Sequence, residues 1–144
     1  MEKYVSSKDF EEVAKTLMTE NARAYINSGA NHGLSLRENQ DKYQIFKLNP
    51  RVLVNVNNVS TKTELMGREL NVPFGIAPTA MHCLVNPLGE KNTIRAAYKA
   101  NTCMCVSTLS TFSLGEIANA APDAFRWFQL YITKDRSITK QLIR

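Results

Sequence analysis

From Pro73 onward the chain alternates short apolar runs with helix-like segments, and each apolar run ends in a polar cluster. The runs are Phe74 to Ala77, Thr102 to Ser107 and Ala124 to Tyr131. Asn86-Pro87 predicts a helix N-cap and a first-turn proline, ahead of a helix with Ile94, Ala97 and Tyr98 on one side. Ser113-Leu114-Gly115-Glu116 has the spacing of a capping box, and Leu114, Ile117, Ala118 and Ala121 recur at helical intervals. Asp135 predicts a third cap, before a helix with Ile138, Leu142 and Ile143 turned inward. Continuous apolar strands between amphipathic helices favour a parallel sheet covered by those helices. The fold class read from this pattern is α/β: an incomplete (β/α)8 TIM barrel, with an N-terminal helical segment followed by about three βα units. A closed barrel takes eight such units and roughly 250 residues. This chain has 144.

Upstream of this region the signals are local. Residues 1–44 read as a helical segment. Ser6 and Asp9 resemble a capping box, and Phe10, Val13, Ala14 and Leu17 form one apolar face. A second helix is predicted from about Asn21 to Ser28, with Gly29 in the left-handed position past its end. Asn31-His32-Gly33 reads as a turn and Leu34 to Tyr43 as a third helix. Residues 45–72 read as a connecting and capping segment. Pro50 breaks any helix, while Val52, Val54 and Val56 alternate as in a strand. Thr61 to Leu70 holds a second short strand, and the two are expected to pair as a hairpin over the barrel's closed end. Residues 73–144 then form the first βα units of a single partial domain.

Composition bounds the function. Hydrophobic residues make up 44% and charged residues 22%, as in an ordinary globular protein. No apolar run approaches the roughly 20 residues needed to span a bilayer, and Met1-Glu2-Lys3-Tyr4 lacks the apolar core of a secretory signal. No membrane span is expected, and the reading is intracellular. The net charge is +5, but lysines and arginines are scattered and interleaved with acids, as in Lys134-Asp135-Arg136. Without basic clustering no nucleic-acid partner is expected. The basic surface still suits a phosphate-bearing cofactor or a carboxylate substrate.

In a parallel α/β sheet the C-terminal strand ends share one rim, where ligands bind. At the first such end, Pro78 fixes the backbone, Thr79 adds a hydroxyl, and Ala80 lets a flat ligand approach its backbone amide. A strand-terminating turn accounts for the same residues. Ser107 and Gln129 end the second and third strands. A carboxamide matches the alternating donors and acceptors on a heterocycle's edge, although each residue also fits a satisfied polar group at a strand end. Tyr25 and Tyr131 offer phenolic hydroxyls for a carboxylate or an alkoxide, or pack as core tyrosines. Trp127 and Phe128 are expected between sheet and helices. His82 has no evident acid to orient it. Cys83, Cys103 and Cys105 show no metal-ligand spacing, so no metal is expected. Neither a dinucleotide-binding glycine fingerprint nor a Walker loop is present.

Val72-Pro73-Phe74-Gly75-Ile76-Ala77-Pro78-Thr79-Ala80-Met81 and Phe128-Gln129-Leu130-Tyr131, with Lys134-Asp135-Arg136, carry a resemblance. Tyr25 before Ser28-Gly29-Ala30, Leu36-Arg37-Glu38-Asn39, Pro50-Arg51 and Pro87 with Gly89-Glu90 support it. The chain from about residue 10 onward resembles the FMN-dependent 2-hydroxy-acid oxidases and dehydrogenases, the glycolate oxidase-like flavoproteins. The resemblance implies a barrel in which Pro78, Thr79 and Ala80 line FMN while Ser107 and Gln129 bond the pyrimidine side of its ring. Tyr25 would bind the substrate carboxylate, and Tyr131 the substrate oxygen on which charge develops. The implied reaction converts an (S)-2-hydroxy acid to a 2-oxo acid, with oxygen reduced to hydrogen peroxide. A homo-oligomer of the full-length protein and peroxisomal residence (otherwise cytoplasmic) follow from the same resemblance.

Several residues depart from the family pattern. Leu109 stands where glycolate oxidases often carry tryptophan, which implies a medium- or long-chain substrate. Asn86 and Leu88 flank Pro87 in place of His and Glu, Asn101 replaces a common glycine, and Asn31-His32-Gly33 lacks the usual acids. The resemblance also implies that the catalytic base histidine, the substrate-binding arginines, a flavin-contacting lysine and the phosphate loops belong to later units. The alternative is a truncated, non-catalytic product. Three units alone leave sheet edges unpaired, so an isolated chain is expected to be molten or oligomeric.

Overall fold

The computed structural model describes residues 4–143. Met1, Glu2, Lys3 and Arg144, on which the readings of both termini partly rest, lie outside the described residues. The chain divides into two compact units, Met1–Asn58 and Val59–Arg144.

In the first unit, α1 spans Ser7–Leu17. The Asp9 carboxylate accepts the Val5 and Ser6 amides at 2.8 and 2.7 Å, satisfying donors that a helix start leaves free. The Thr19 hydroxyl accepts the Ala22 amide and opens α2, Glu20–Asn27. α3, Leu34–Asp41, runs into a tighter turn at Lys42–Ile45. Gly29 does not take the expected left-handed conformation, which falls instead to Asn31 (φ +50) and Gly33 (φ +66). Its glycine serves close packing: a Cβ at Gly29 would lie 2.9 Å from the Leu36 Cβ.

Val52, Val54 and Val56 form no strand. Leu53 between them has φ +57, which breaks the extended run. The hairpin lies wholly downstream, between β1 (Thr63–Leu65) and β2 (Arg68–Leu70), antiparallel with Thr63 opposite Leu70. Its two turn residues, Met66 (φ +51) and Gly67 (φ +77), both adopt the positive φ that a tight type I′ turn demands.

The parallel sheet of the second unit is built around β3, Met104–Val106. β4, Arg126–Phe128, pairs with β3 in parallel register, Met104 opposite Arg126. On the other side Ile76 alone bridges Met104, through amide bonds of 2.8 Å to the Cys103 carbonyl and 2.9 Å from the Cys105 amide. The first expected strand therefore shrinks to one ladder residue. Two positions on, where the next donor would stand, Pro78 has no N–H. Gly75 permits the approach, since a Cβ there would sit 2.7 Å from the Cys103 carbonyl oxygen.

α4, Gly89–Ala100, and α5, Leu114–Ala120, cover one face of this sheet. Ile94 and Ala97 from α4, Ile117 from α5, Ala121 and Ala124 close the core over Met104 and Val106. The expected capping box at α5 forms, with Ser113 and Glu116 bonding reciprocally. Lys91 joins the two helices, 3.1 Å from Glu116 and 3.7 Å from the Phe112 ring centroid. α4 begins two residues later than Pro87, because the Asn86 side chain caps the Leu88 amide in a preceding turn and Gly89 follows at φ +40. Asn101 ends α4 in the left-handed conformation, φ +48, tolerated by a residue whose Nδ2 donates to the Glu69 carbonyl at 3.1 Å. α6, Arg136–Leu142, is capped by Asp135 as expected. Its inward residue is Thr139, however, bonded to Thr133, while Ile138, Leu142 and Ile143 stay exposed. The described strands do not close a barrel, and among the described residues no helix is long and apolar enough to cross a membrane.

The outer edge of β4 has no partner among the described residues, and Phe74, Trp127 and Tyr131 are exposed. The purified 144-residue chain is expected to self-associate and to bind an apolar dye. Light scattering that shows a monomer, together with a sharp cooperative melt, would contradict this.

Candidate functional site

Parallel pairing puts the C-terminal ends of the three strand positions on one side of the sheet. These ends are Ala77–Met81, Ser107–Ser110 and Gln129–Tyr131. Side chains alternate between faces along a strand. Cys103, Cys105 and Trp127, with Gly75 and Ala77 on either side of Ile76, therefore lie on the face away from α4 and α5. A cavity of about 330 Å³ opens on that face, lined by Gly75, Ala77, Pro78, Cys103, Cys105 and Trp127 among others.

Backbone bonds hold the rim. The Gln129 amide donates to the Val106 carbonyl at 2.8 Å, and the Thr108 hydroxyl donates to the Gln129 carbonyl. Ser107 is 5% exposed, and its Oγ accepts the Leu109 amide at 3.1 Å. Met81, in the left-handed conformation (φ +54), donates its amide to the Leu109 carbonyl at 3.2 Å and so ties the first two ends together. What remains free is the informative part. Among the described residues the Ala80 amide, the Gln129 carboxamide and the Ser107 hydroxyl proton have no hydrogen-bond partner. These are donors and a donor–acceptor pair suited to the edge of a flat heterocycle.

The structure thus brings Pro78, Thr79, Ala80, Ser107, Gln129 and Tyr131 to one side of the sheet. Pro78 and Thr79 are exposed, Ala80 and Gln129 half-buried, and Tyr131 is 54% exposed. Tyr25 lies on α2 in the first unit, 47% exposed. Neither tyrosine is buried among the described residues. Trp127 departs from expectation: it lies on the cavity face, edge-on to Phe125 at 6.0 Å, while Phe128 packs on the core. Strand alternation requires that neighbours part in this way.

Burial pushes the Cys103 and Cys105 thiols above their ordinary range, Cys103 further because Cys105 lies beside it. Both remain protonated near neutrality and serve as small cavity-lining residues rather than nucleophiles. Among the described residues no group of three His, Cys, Asp or Glu side chains is placed to hold a metal ion. The His82 ring has no acid bonded to it among the described residues, and Glu90 meets only the His82 backbone amide. That amide donates to Glu90 Oε1 at 3.1 Å, and the ring Nδ1 lies 3.0 Å from the Thr93 hydroxyl. A carboxylate in the first turn of a helix ordinarily reads as a dipole partner, and nothing in its spacing signals that Glu90 turns inward.

The profile of the FMN-dependent dehydrogenase family matches residues 14–144. Human 2-hydroxyacid oxidase 2 is 40% identical over 136 residues, 94% of this chain and 39% of that protein. An L-lactate oxidase from Nostoc sp. is 41% identical over 138 residues, 94% of this chain and 38% of that protein. Among solved structures, the flavin-binding domain of baker's yeast flavocytochrome b2 superposes with a TM-score of 0.92 at 37% identity, covering 97% of this chain and 37% of that one. Mandelate oxidase with (S)-2-phenylpropionate gives 0.92 at 32% identity, covering 99% and 42%. The chain spans about two-fifths of the length of the curated relatives it matches.

Cys103 is expected to alkylate slowest of the three cysteines, by about tenfold against a free thiol at mildly alkaline pH. Mass spectrometry of iodoacetamide-treated chain checks the order, and faster labelling of Cys103 than of Cys83 would refute it.

Proposed function

The chain belongs to the FMN-dependent dehydrogenase family, and on that premise we propose that the complete protein oxidises an (S)-2-hydroxy acid to a 2-oxo acid, with oxygen reduced to hydrogen peroxide. The observation that carries this reading is the set of unengaged groups on one rim: the Ala80 amide, the Ser107 hydroxyl and the Gln129 carboxamide. Their chemistry suits an isoalloxazine, which by the family resemblance Pro78, Thr79 and Ala80 would line and Ser107 and Gln129 would hold by its pyrimidine side. FMN, when bound, supplies the two-electron acceptor that a chain of ordinary side chains lacks.

The residues present then have separate tasks. Tyr25 takes the substrate carboxylate. Tyr131 donates its phenolic hydrogen to the substrate oxygen and steadies the charge gathering there. Leu109, 56% exposed beside Met81, gives the rim an aliphatic lip that suits a medium- or long-chain 2-hydroxy acid. Peroxisomal residence and a homo-oligomer belong to the same reading and rest on family resemblance alone. Proton abstraction needs a base within hydrogen-bond reach of the substrate, and the family resemblance assigns that base to a later unit.

Purified 144-residue chain is expected to release no peroxide above background from lactate or 2-hydroxyoctanoate, and robust release would contradict this. The complete protein should be yellow, and Tyr131→Phe should lower kcat by about tenfold to a thousandfold with flavin content unchanged. A colourless complete protein that ignores added FMN would overturn the flavin reading. Leu109→Trp should shift preference toward glycolate in a steady-state substrate series.

A further inference from the structure

Glu90 is fully buried in the first turn of α4. Its Oε1 receives two backbone amides, His82 at 3.1 Å and Thr111 at 2.9 Å. These amides come from different loops, one following the Ile76 strand position and the other following β3. Oε2 has no hydrogen-bond partner among the described residues. A buried carboxylate left half-satisfied is costly, and packing alone would favour an apolar residue there. What the carboxylate supplies instead is a single acceptor common to both loops.

The same two loops are tied at two further points. The Met81 amide reaches the Leu109 carbonyl at 3.2 Å, and the Cys83 amide reaches the Thr111 hydroxyl at 3.3 Å. Met81 follows Ala80 directly, and Leu109 is the residue that Ser107 Oγ holds. Burial pushes the Glu90 carboxyl up. The amides of Thr111, of Glu90 itself and of His82 outweigh burial and hold it below the usual carboxylate range. Glu90 is therefore an ionised acceptor, and bonds to it are stronger than bonds to a neutral oxygen.

We propose that Glu90 is a positioning residue: its buried carboxylate, shared by the His82 and Thr111 amides, fixes the spacing between the Ala80 and Ser107 edges of the rim. Glu90 does not line the cavity and acts through the loops it joins. What the rim holds rests on the proposed flavin function. The clamp itself does not.

The test uses the complete protein, labelled with ²H and ¹⁵N, with Glu90→Gln keeping one acceptor oxygen, and Glu90→Met and Glu90→Ala removing it. In the wild type the His82 and Thr111 amides should exchange with solvent at a common rate, as one opening event. Glu90→Met should speed both together by about tenfold or more, while Val106 and Ile117 amides keep their protection. It should also shift the Ala80 and Ser107 amide resonances, and Glu90→Gln should restore both readouts most of the way. The proposal is overturned if the two wild-type amides exchange at rates more than about tenfold apart. It is also overturned if Glu90→Met leaves both unchanged, or if core protection is lost in equal measure. Should neither acceptor-free variant fold, the wild-type rates and Glu90→Gln still decide.

Riboflavin, which carries the ring without the phosphate, separates the two readings when added to the complete protein stripped of bound flavin. Wild type and Glu90→Gln should quench its fluorescence alike, and Glu90→Met should bind about tenfold more weakly. A wild type that does not bind riboflavin counts against the flavin reading of the rim, and the exchange rates alone then judge the clamp.

Discussion

Parallel pairing of β3 with Ile76 on one side and β4 on the other is the constraint on which everything else in the second unit depends. Parallel strands must be joined by crossovers that return the chain to the same starting side, so α4 and α5 exist to make that return. Once they do, their apolar stripes have one place to go. Ile94, Ala97 and Ile117 bury against Met104 and Val106, and the strand ends all emerge opposite. The rim is a consequence of the pairing. Any polar residue that follows one of these strands arrives beside the others.

The local chemistry at each strand end then decides what stays free. Pro78 stops the first ladder by lacking an N–H, which releases the backbone before Ala80 and leaves that amide outside the sheet. At the third end the Gln129 backbone is fully committed, to Val106 through its amide and to Thr108 through its carbonyl. Only the side chain is left to bind. Ser107 Oγ accepts the Leu109 amide and keeps its proton. A rim built in this way is rigid where it bonds to itself and open where it faces a ligand, which is the arrangement that preorganised recognition needs.

Sequence made the capping signals legible because each lies within one turn. Ser113 with Glu116, and Asp135 ahead of α6, depend on neighbours three or fewer residues away. The errors fall where distant residues decide. Val52, Val54 and Val56 alternate like a strand, but alternation needs a partner to become one, and Leu53 turns the chain at φ +57. Gly29 is a glycine for the sake of Leu36, seven positions on, not for its own φ. Ile138 and Leu142 have helical spacing, yet the Thr133–Thr139 bond turns a different face inward. The rim residues were legible because strand ends are visible as apolar runs that stop. Glu90 was not, since its two partners lie eight residues back and twenty-one residues ahead.

The two faces of the sheet obey different rules, and the difference bears on how the rim works. On the helix side, Glu90 apart, burial sets residue choice, and the core is filled mostly by aliphatic and small side chains. On the other face the strand residues are small or polarisable: Gly75, Ala77, Cys103 and Cys105 leave a cavity of about 330 Å³ with Trp127 at its side. Thiols whose protonation is favoured by burial keep it apolar without introducing charge. A hydrogen bond made beside such an apolar surface is stronger than one made in open water, because water competes less for the same donors.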